Sequence, residues 1–174
     1  MSKTIAFVMD PMEGLHIEAD TSFAFMLAAA HRDARVLHVL PGDIMLREGK
    51  VWLRGRYVQV RDKVGDHFNV VEAALVCAND CTAIFIRTDP PFDEDYLTCT
   101  WLLSFAERQG VRVLNSPAGI RSANEKLYAL EFPELCPETI VTNCQQEALN
   151  FIESLGGTAI AKPQKNGGNF SVMG

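Results

Sequence analysis

The sequence predicts an α/β fold in which helices flank a mostly parallel sheet, and three observations carry that reading. β-rich apolar runs alternate with segments of helical period from residue 4 to about residue 130. The opening elements form a strand–helix–strand unit, and the handedness rule makes its two strands parallel. After Pro133 the alternation starts afresh as strand, helix and strand, so residues 1–122 read as one unit and 123–174 as a linker helix with the start of a second.

"TIAFVMD" (4–10) is a buried strand that runs into a loop at Asp-Pro. Asp20 or Thr21 caps a helix in which Phe23, Met26, Leu27 and Ala30 recur at helical spacing. "RVLHVL" (35–40) is the second strand. From Pro41 to about Val60 two β-like runs flank "EGK", a hairpin read as an excursion from the sheet. "TAIFIR" (82–87) is a third core strand, and the paired prolines of "TDPPFD" forbid helix and central strand alike. A helix follows from about Asp93 to Gln109, with Leu97, Trp101 and Phe105 on one stripe and Gly110 as its stop.

"VRVLNSP" (111–117) is the fourth strand. "SANEKLYALEF" (122–132) reads as a helix opened by a Ser122–Glu125 capping box and ended by Pro133. "TIVT" (139–142) is strand-like, and Thr142 with Gln145 caps a helix that carries Ala148, Phe151, Ile152 and Leu155 on one face. "TAIAKP" is the last strand.

Apolar residues make up 48% and charged residues 22% of the chain, a globular balance, and the formal charge of −6 argues against a nucleic-acid-binding surface. No stretch approaches the roughly 20 apolar residues of a membrane span, and the N-terminal run is too short for a signal peptide, so a cytoplasmic protein is expected. Five cysteines without a secretory signal read as reduced thiols, and Cys77 with Cys81 lacks a second pair of metal ligands. The four histidines are scattered, with no metal-ligand spacing.

Ligands of an open α/β sheet sit beyond the carboxyl ends of its strands. Arg87 stands there, leaving a buried strand just ahead of two prolines that fix the backbone around it. It suits a bidentate grip on a carboxylate, or else it pairs with Asp89 or Asp93 at the surface. Lys126, in a first helical turn, is unfavourable for the helix unless an anion lies near; the other reading is a solvated lysine. Lys162 ends "TAIA" ahead of Gly167-Gly168, a pair that lets backbone amides approach phosphate but lacks the P-loop order. Glu13, Glu18 and Asp20 read as a solvated acidic rim.

"FVMDP", "DTSFAFMLAAAHR", "IFIRTDPPFD", "VLNSPAGIRSANEKLYALEF", "CPETIVT" and "IAKP…GG" occur in the order and at the spacing of prokaryotic-type glutathione synthetase, an ATP-grasp ligase, and the resemblance runs from about residue 4 to 168. It implies a Rossmann-like pre-ATP-grasp domain over residues 1–122, then the first strand–helix–strand of an ATP-grasp domain. It further implies ATP and Mg²⁺ as cofactors, γ-glutamylcysteine and glycine as substrates, and a homo-oligomer. Arg87 matches the arginine of γ-glutamylcysteine binding, Lys126 and Lys162 the lysines that contact ATP, and Gly167-Gly168 the glycine loop, here one residue short. The family's catalytic and metal-binding residues lie downstream of this stretch. The expectation is therefore an N-terminal portion inactive alone, truncated by a cloning boundary, an early stop or a frameshift around 164–170, with apolar surface exposed on the last helix and strand. A non-catalytic module that keeps the fold and binds a small ligand or a partner is the alternative.

Overall fold

A computed structural model of the chain describes residues 3–124, 126–163 and 170–173, the last four by their backbone alone. The chain divides into two compact units, Met1–Ser122 and Ala123–Gly174.

The first unit is built on a six-stranded sheet of order β4-β3-β2-β1-β5-β6. Its strands are β1 (Thr4–Val8), β2 (Arg35–Arg47), β3 (Lys50–Val60), β4 (Phe68–Cys77), β5 (Ala83–Ile86) and β6 (Val113–Leu114). β1 lies parallel to both β2 and β5, and β6 continues the parallel set. α1 (Thr21–Ala30) covers one face, where Phe7, Met9, Phe23, Met26, Val36 and Val58 form a buried cluster. α2 (Glu94–Arg108) covers the other, where Leu103 and Ala106 meet Ala6, Leu37, Ile84 and Ile86. Each large side chain so buried contributes about 1.5–3 kcal/mol. No helix among the described residues is long and apolar enough to cross a membrane.

The segment after residue 40 is not an excursion. β2 runs on to Arg47 and turns through Glu48 and Gly49, both at positive φ (52° and 74°), into β3, so the hairpin extends the sheet itself. Pro41 is accommodated because β2's pairing with β1 ends at Val39 and a register shift between Val39 and Ile44 frees its neighbours from the β3 ladder. β4 escaped the sequence reading. It is one of the two edge strands, exposed through its centre, so alternation of buried and exposed residues is lost there.

α2 turns a different face inward from the one expected. Trp101 is 52% and Phe105 38% exposed, whereas Cys99, Thr100, Leu103, Ser104 and Ala106 are buried. Small residues bring the helix close to the sheet, and its buried hydroxyls bond within the helix, Thr100 Oγ1 to the Leu97 carbonyl and Ser104 Oγ to the Thr100 carbonyl.

The helix expected over 122–132 does not form. α3 (Pro117–Ser122) ends at Ser122, whose hydroxyl donates to the Gly119 carbonyl rather than capping a new helix; Glu125 lies outside the described residues. In the second unit, 3-10 turns span Tyr128–Glu131 and Pro133–Leu135. "TIVT" pairs with no strand among the described residues, and Thr142 Oγ1 accepts the Cys144 amide in a local turn in place of the capping box with Gln145. α4 (Gln145–Ser154) leads to β7 (Thr158–Ala161), which pairs antiparallel with β8 (Phe170–Met173), a strand beyond the one expected to be last. None of the residues of α4 or β7 is fully buried, and Ile160 is 69% exposed.

Gly55 marks the tightest backbone approach in the sheet. A Cβ there would stand 2.6 Å from the His38 carbonyl oxygen and 2.9 Å from both Leu37 Cδ1 and Val39 Cγ2. Gly55→Ala is expected to cost about 2–3 kcal/mol by urea denaturation. Gly14→Ala, with nothing within 4 Å, should stay within about 0.5 kcal/mol of the parent.

Candidate functional site

Two loops leave the carboxyl ends of neighbouring parallel strands, one after β1 and one after β5. The Arg87 amide donates to the Val8 carbonyl at 2.7 Å, which carries the pairing one residue past β5. Its side chain follows Phe85 onto the α1 face. There Nε donates to Ser22 Oγ at 2.9 Å and Nη2 to Thr21 Oγ1 at 2.6 Å, with the Phe25 ring 6.0 Å away. No carboxylate among the described residues is within ion-pair distance, so Asp89 and Asp93 are not its partners. Asp93 caps α2 through the Tyr96 amide instead. A guanidinium held by neutral hydroxyls at the positive end of a helix is a cation left for an anion to neutralise.

Beside it lies a polar seam that sequence reasoning missed. His38, 1% exposed, faces Arg56 across the β2–β3 pair, with its Nδ1 3.3 Å from Arg56 Nη2. Its Nε2 lies 3.0 Å from the Asp10 carbonyl oxygen. The Asp10 carboxylate accepts the Asp89 amide at 2.9 Å, joining the two loops. Arg56 Nη1 also meets Glu13 Oε1 at 3.1 Å, so Glu13 is an ion-pair partner rather than a free rim charge; a backbone hydrogen bond and then Arg56 hold its carboxyl below the usual range. Asp20 likewise is a cap, accepting the Phe23 amide at 2.8 Å. Thr88 Oγ1, between Arg87 and Asp89, is buried without a hydrogen-bond partner.

In the second unit Lys126 is not in the first turn of a helix. It follows Asn124, whose Oδ1 accepts the amides of Lys126 and Leu127 at 3.0 and 3.1 Å. Its Nζ donates to the Pro163 carbonyl, adjacent to Lys162 at the end of β7, so these two lysines approach one strand end. Gly167 and Gly168 lie outside the described residues. Burial pushes the Cys81 and Cys99 thiols up to about 12, and all five cysteines are free thiols.

The sequence matches the family model for "Prokaryotic glutathione synthetase, N-terminal domain" over residues 4–121. The chain belongs to the prokaryotic glutathione synthetase family. It is 36% identical over 173 residues to the glutathione synthetase of Xanthomonas axonopodis pv. citri, covering 99% of this chain and 54% of that protein. To that of Vibrio parahaemolyticus it is 31% identical over 180 residues, covering 97% and 57%. To that of Coxiella burnetii it is 38% identical over 152 residues, covering 87% and 47%. The chain spans about half the length of the curated relatives it matches. Among solved structures, D-alanyl-alanine synthetase A of Vibrio cholerae aligns with a TM-score of 0.49 at 16% identity, over 100% of this chain and 54% of that one. Within this glutathione synthetase N-terminal domain lie Arg87 and the His38 seam; Lys126 and Lys162 fall beyond the matched residues.

Burial holds the His38 imidazole below its ordinary value. As pH falls below about 6.5, the unfolded chain takes up a proton that the folded one refuses, so stability is greatest above that pH and declines below it. Urea unfolding at pH 7.5, 6.5 and 5.5 should show this decline, flattened in His38→Gln.

Proposed function

We propose that this chain supplies the γ-glutamylcysteine-binding part of an ATP-dependent glutathione ligase and the opening of its ATP site. In the reaction, ATP phosphorylates the C-terminal carboxylate of γ-glutamylcysteine and releases ADP. The glycine amine then attacks the acyl phosphate, and phosphate leaves as the amide bond of glutathione forms. The first unit acts as the N-terminal domain and the second begins the ATP-grasp domain.

The observation that carries this reading is the Arg87 guanidinium, fixed by Thr21 and Ser22 hydroxyls with no carboxylate of the described residues within ion-pair distance. Such a group binds a substrate carboxylate with paired, charge-assisted hydrogen bonds. Lys126 and Lys162 bring two cationic side chains to the end of β7, a set suited to the phosphates of ATP, with Gly167 and Gly168 next in the sequence. Among the described residues no cluster of three or more His, Cys, Asp or Glu could hold a metal ion, and the residues that would hold Mg²⁺ are those the resemblance places downstream of this stretch. A cytoplasmic homo-oligomer completes the proposal, and the free thiols suit a reducing compartment.

Calorimetry tests the assignment. γ-Glutamylcysteine should bind the chain, and Arg87→Lys, which keeps the charge but loses the fork, should weaken binding by about tenfold or more. Equal affinities in parent and variant would remove Arg87 from the site. ATP affinity should fall in Lys162→Ala and stay unchanged in Arg87→Lys.

A further inference from the structure

We propose that His38 is a positioning residue for the arginine loop, acting through Asp10. The proposal rests on the reading of Arg87 as the substrate-carboxylate ligand, and it concerns what holds that ligand in place.

The chain of bonds has one consistent proton arrangement. Arg56 can only donate, so His38 Nδ1, 3.3 Å from its Nη2, must accept. The imidazole proton is then on Nε2, which donates to the Asp10 carbonyl at 3.0 Å. Glu13 holds the other arm of Arg56 at 3.1 Å, which keeps the guanidinium aimed at the ring. A side chain 1% exposed at the centre of the sheet thereby fixes the Asp10–Pro11 peptide in the loop beyond β1.

Asp10 passes that constraint on. Its carboxylate accepts the amide of Asp89, two residues beyond Arg87, at 2.9 Å. Among the described residues the backbone of the arginine loop is thus pinned to the neighbouring loop and strand at two points, the Arg87 amide on Val8 and the Asp89 amide on Asp10. Only the first belongs to the sheet ladder. Thr88 between them adds no side-chain anchor, since its buried hydroxyl has no partner. The second pin depends on the orientation of Asp10, which His38 sets. Arg87 gains no contact from His38 itself, so the effect reaches it only through the loop.

The test compares His38→Leu, which removes the Nε2–H at similar volume, with His38→Gln, whose amide can restore a donor to the Asp10 carbonyl. Hydrogen exchange at the Asp89 amide is read against that at the core Leu53 amide, and γ-glutamylcysteine affinity is measured where every variant is folded. His38→Leu should speed Asp89 exchange about tenfold beyond any change at Leu53 and weaken binding by a similar factor; His38→Gln should restore both to within about twofold. Should His38→Leu fail to fold, Arg56→Met carries the same comparison, with ¹⁵N spectra expected to show the Nε2–H tautomer in the parent and a mixture in the variant. Asp89 exchange that merely tracks Leu53, or a loosened Asp89 with unchanged affinity, overturns the proposal. If the parent itself does not bind γ-glutamylcysteine, the reading of Arg87 fails instead, and Asp89 exchange alone decides whether His38 holds the loop.

Discussion

The bond from the Arg87 amide to the Val8 carbonyl is the constraint on which the arrangement of the site depends. It exists because β1 runs parallel to both of its neighbours, so that β1 and β5 release their loops at the same edge of the sheet. Parallel strands need crossover elements between them, and α1 and α2 fill that role on opposite faces. The first of these crossovers also delivers Thr21 and Ser22 to the guanidinium, so the same connection that closes the core orients the site.

Charge at this edge is arranged by exclusion as much as by contact. Several acidic side chains of the neighbouring loops are engaged elsewhere: Asp20 and Asp93 cap helices, Asp10 receives an amide, and Glu13 is drawn to Arg56. Arg87 is left with hydroxyl partners, which orient a guanidinium without neutralising it. Burial without neutralisation is costly, and the half-buried position of Arg87 limits that cost while keeping an approach open.

Much of this was legible in the sequence where local chemistry decides structure. The strand–helix–strand opening, the hairpin at "EGK", the helix expected from about Asp93 to Gln109 and Arg87 at a strand's exit all follow from periodicity, caps and prolines. What failed depends on distant atoms. Counted out from the Glu48–Gly49 turn in an unbroken ladder, His38 would face Gln59; the shift between Val39 and Ile44 places Arg56 opposite it instead, so the seam cannot be read from spacing. On α2 the largest apolar side chains suggested the buried face, but the sheet selected the smallest ones. Lys126 was placed in a helix by the Ser122 signal, whereas the Asn124 side chain, two residues on, draws the Lys126 and Leu127 amides into a local turn.

The central claim is that Arg87 meets the carboxylate of the substrate, and arginine side-chain NMR tests it at the atom concerned. In a titration of the ¹⁵N-labelled chain with γ-glutamylcysteine, the account predicts a saturable shift of the Arg87 Nε–H resonance, larger than that of Arg35 or Arg61, which lie in ion pairs elsewhere. An Arg87 signal that stays still while the ligand binds would contradict it.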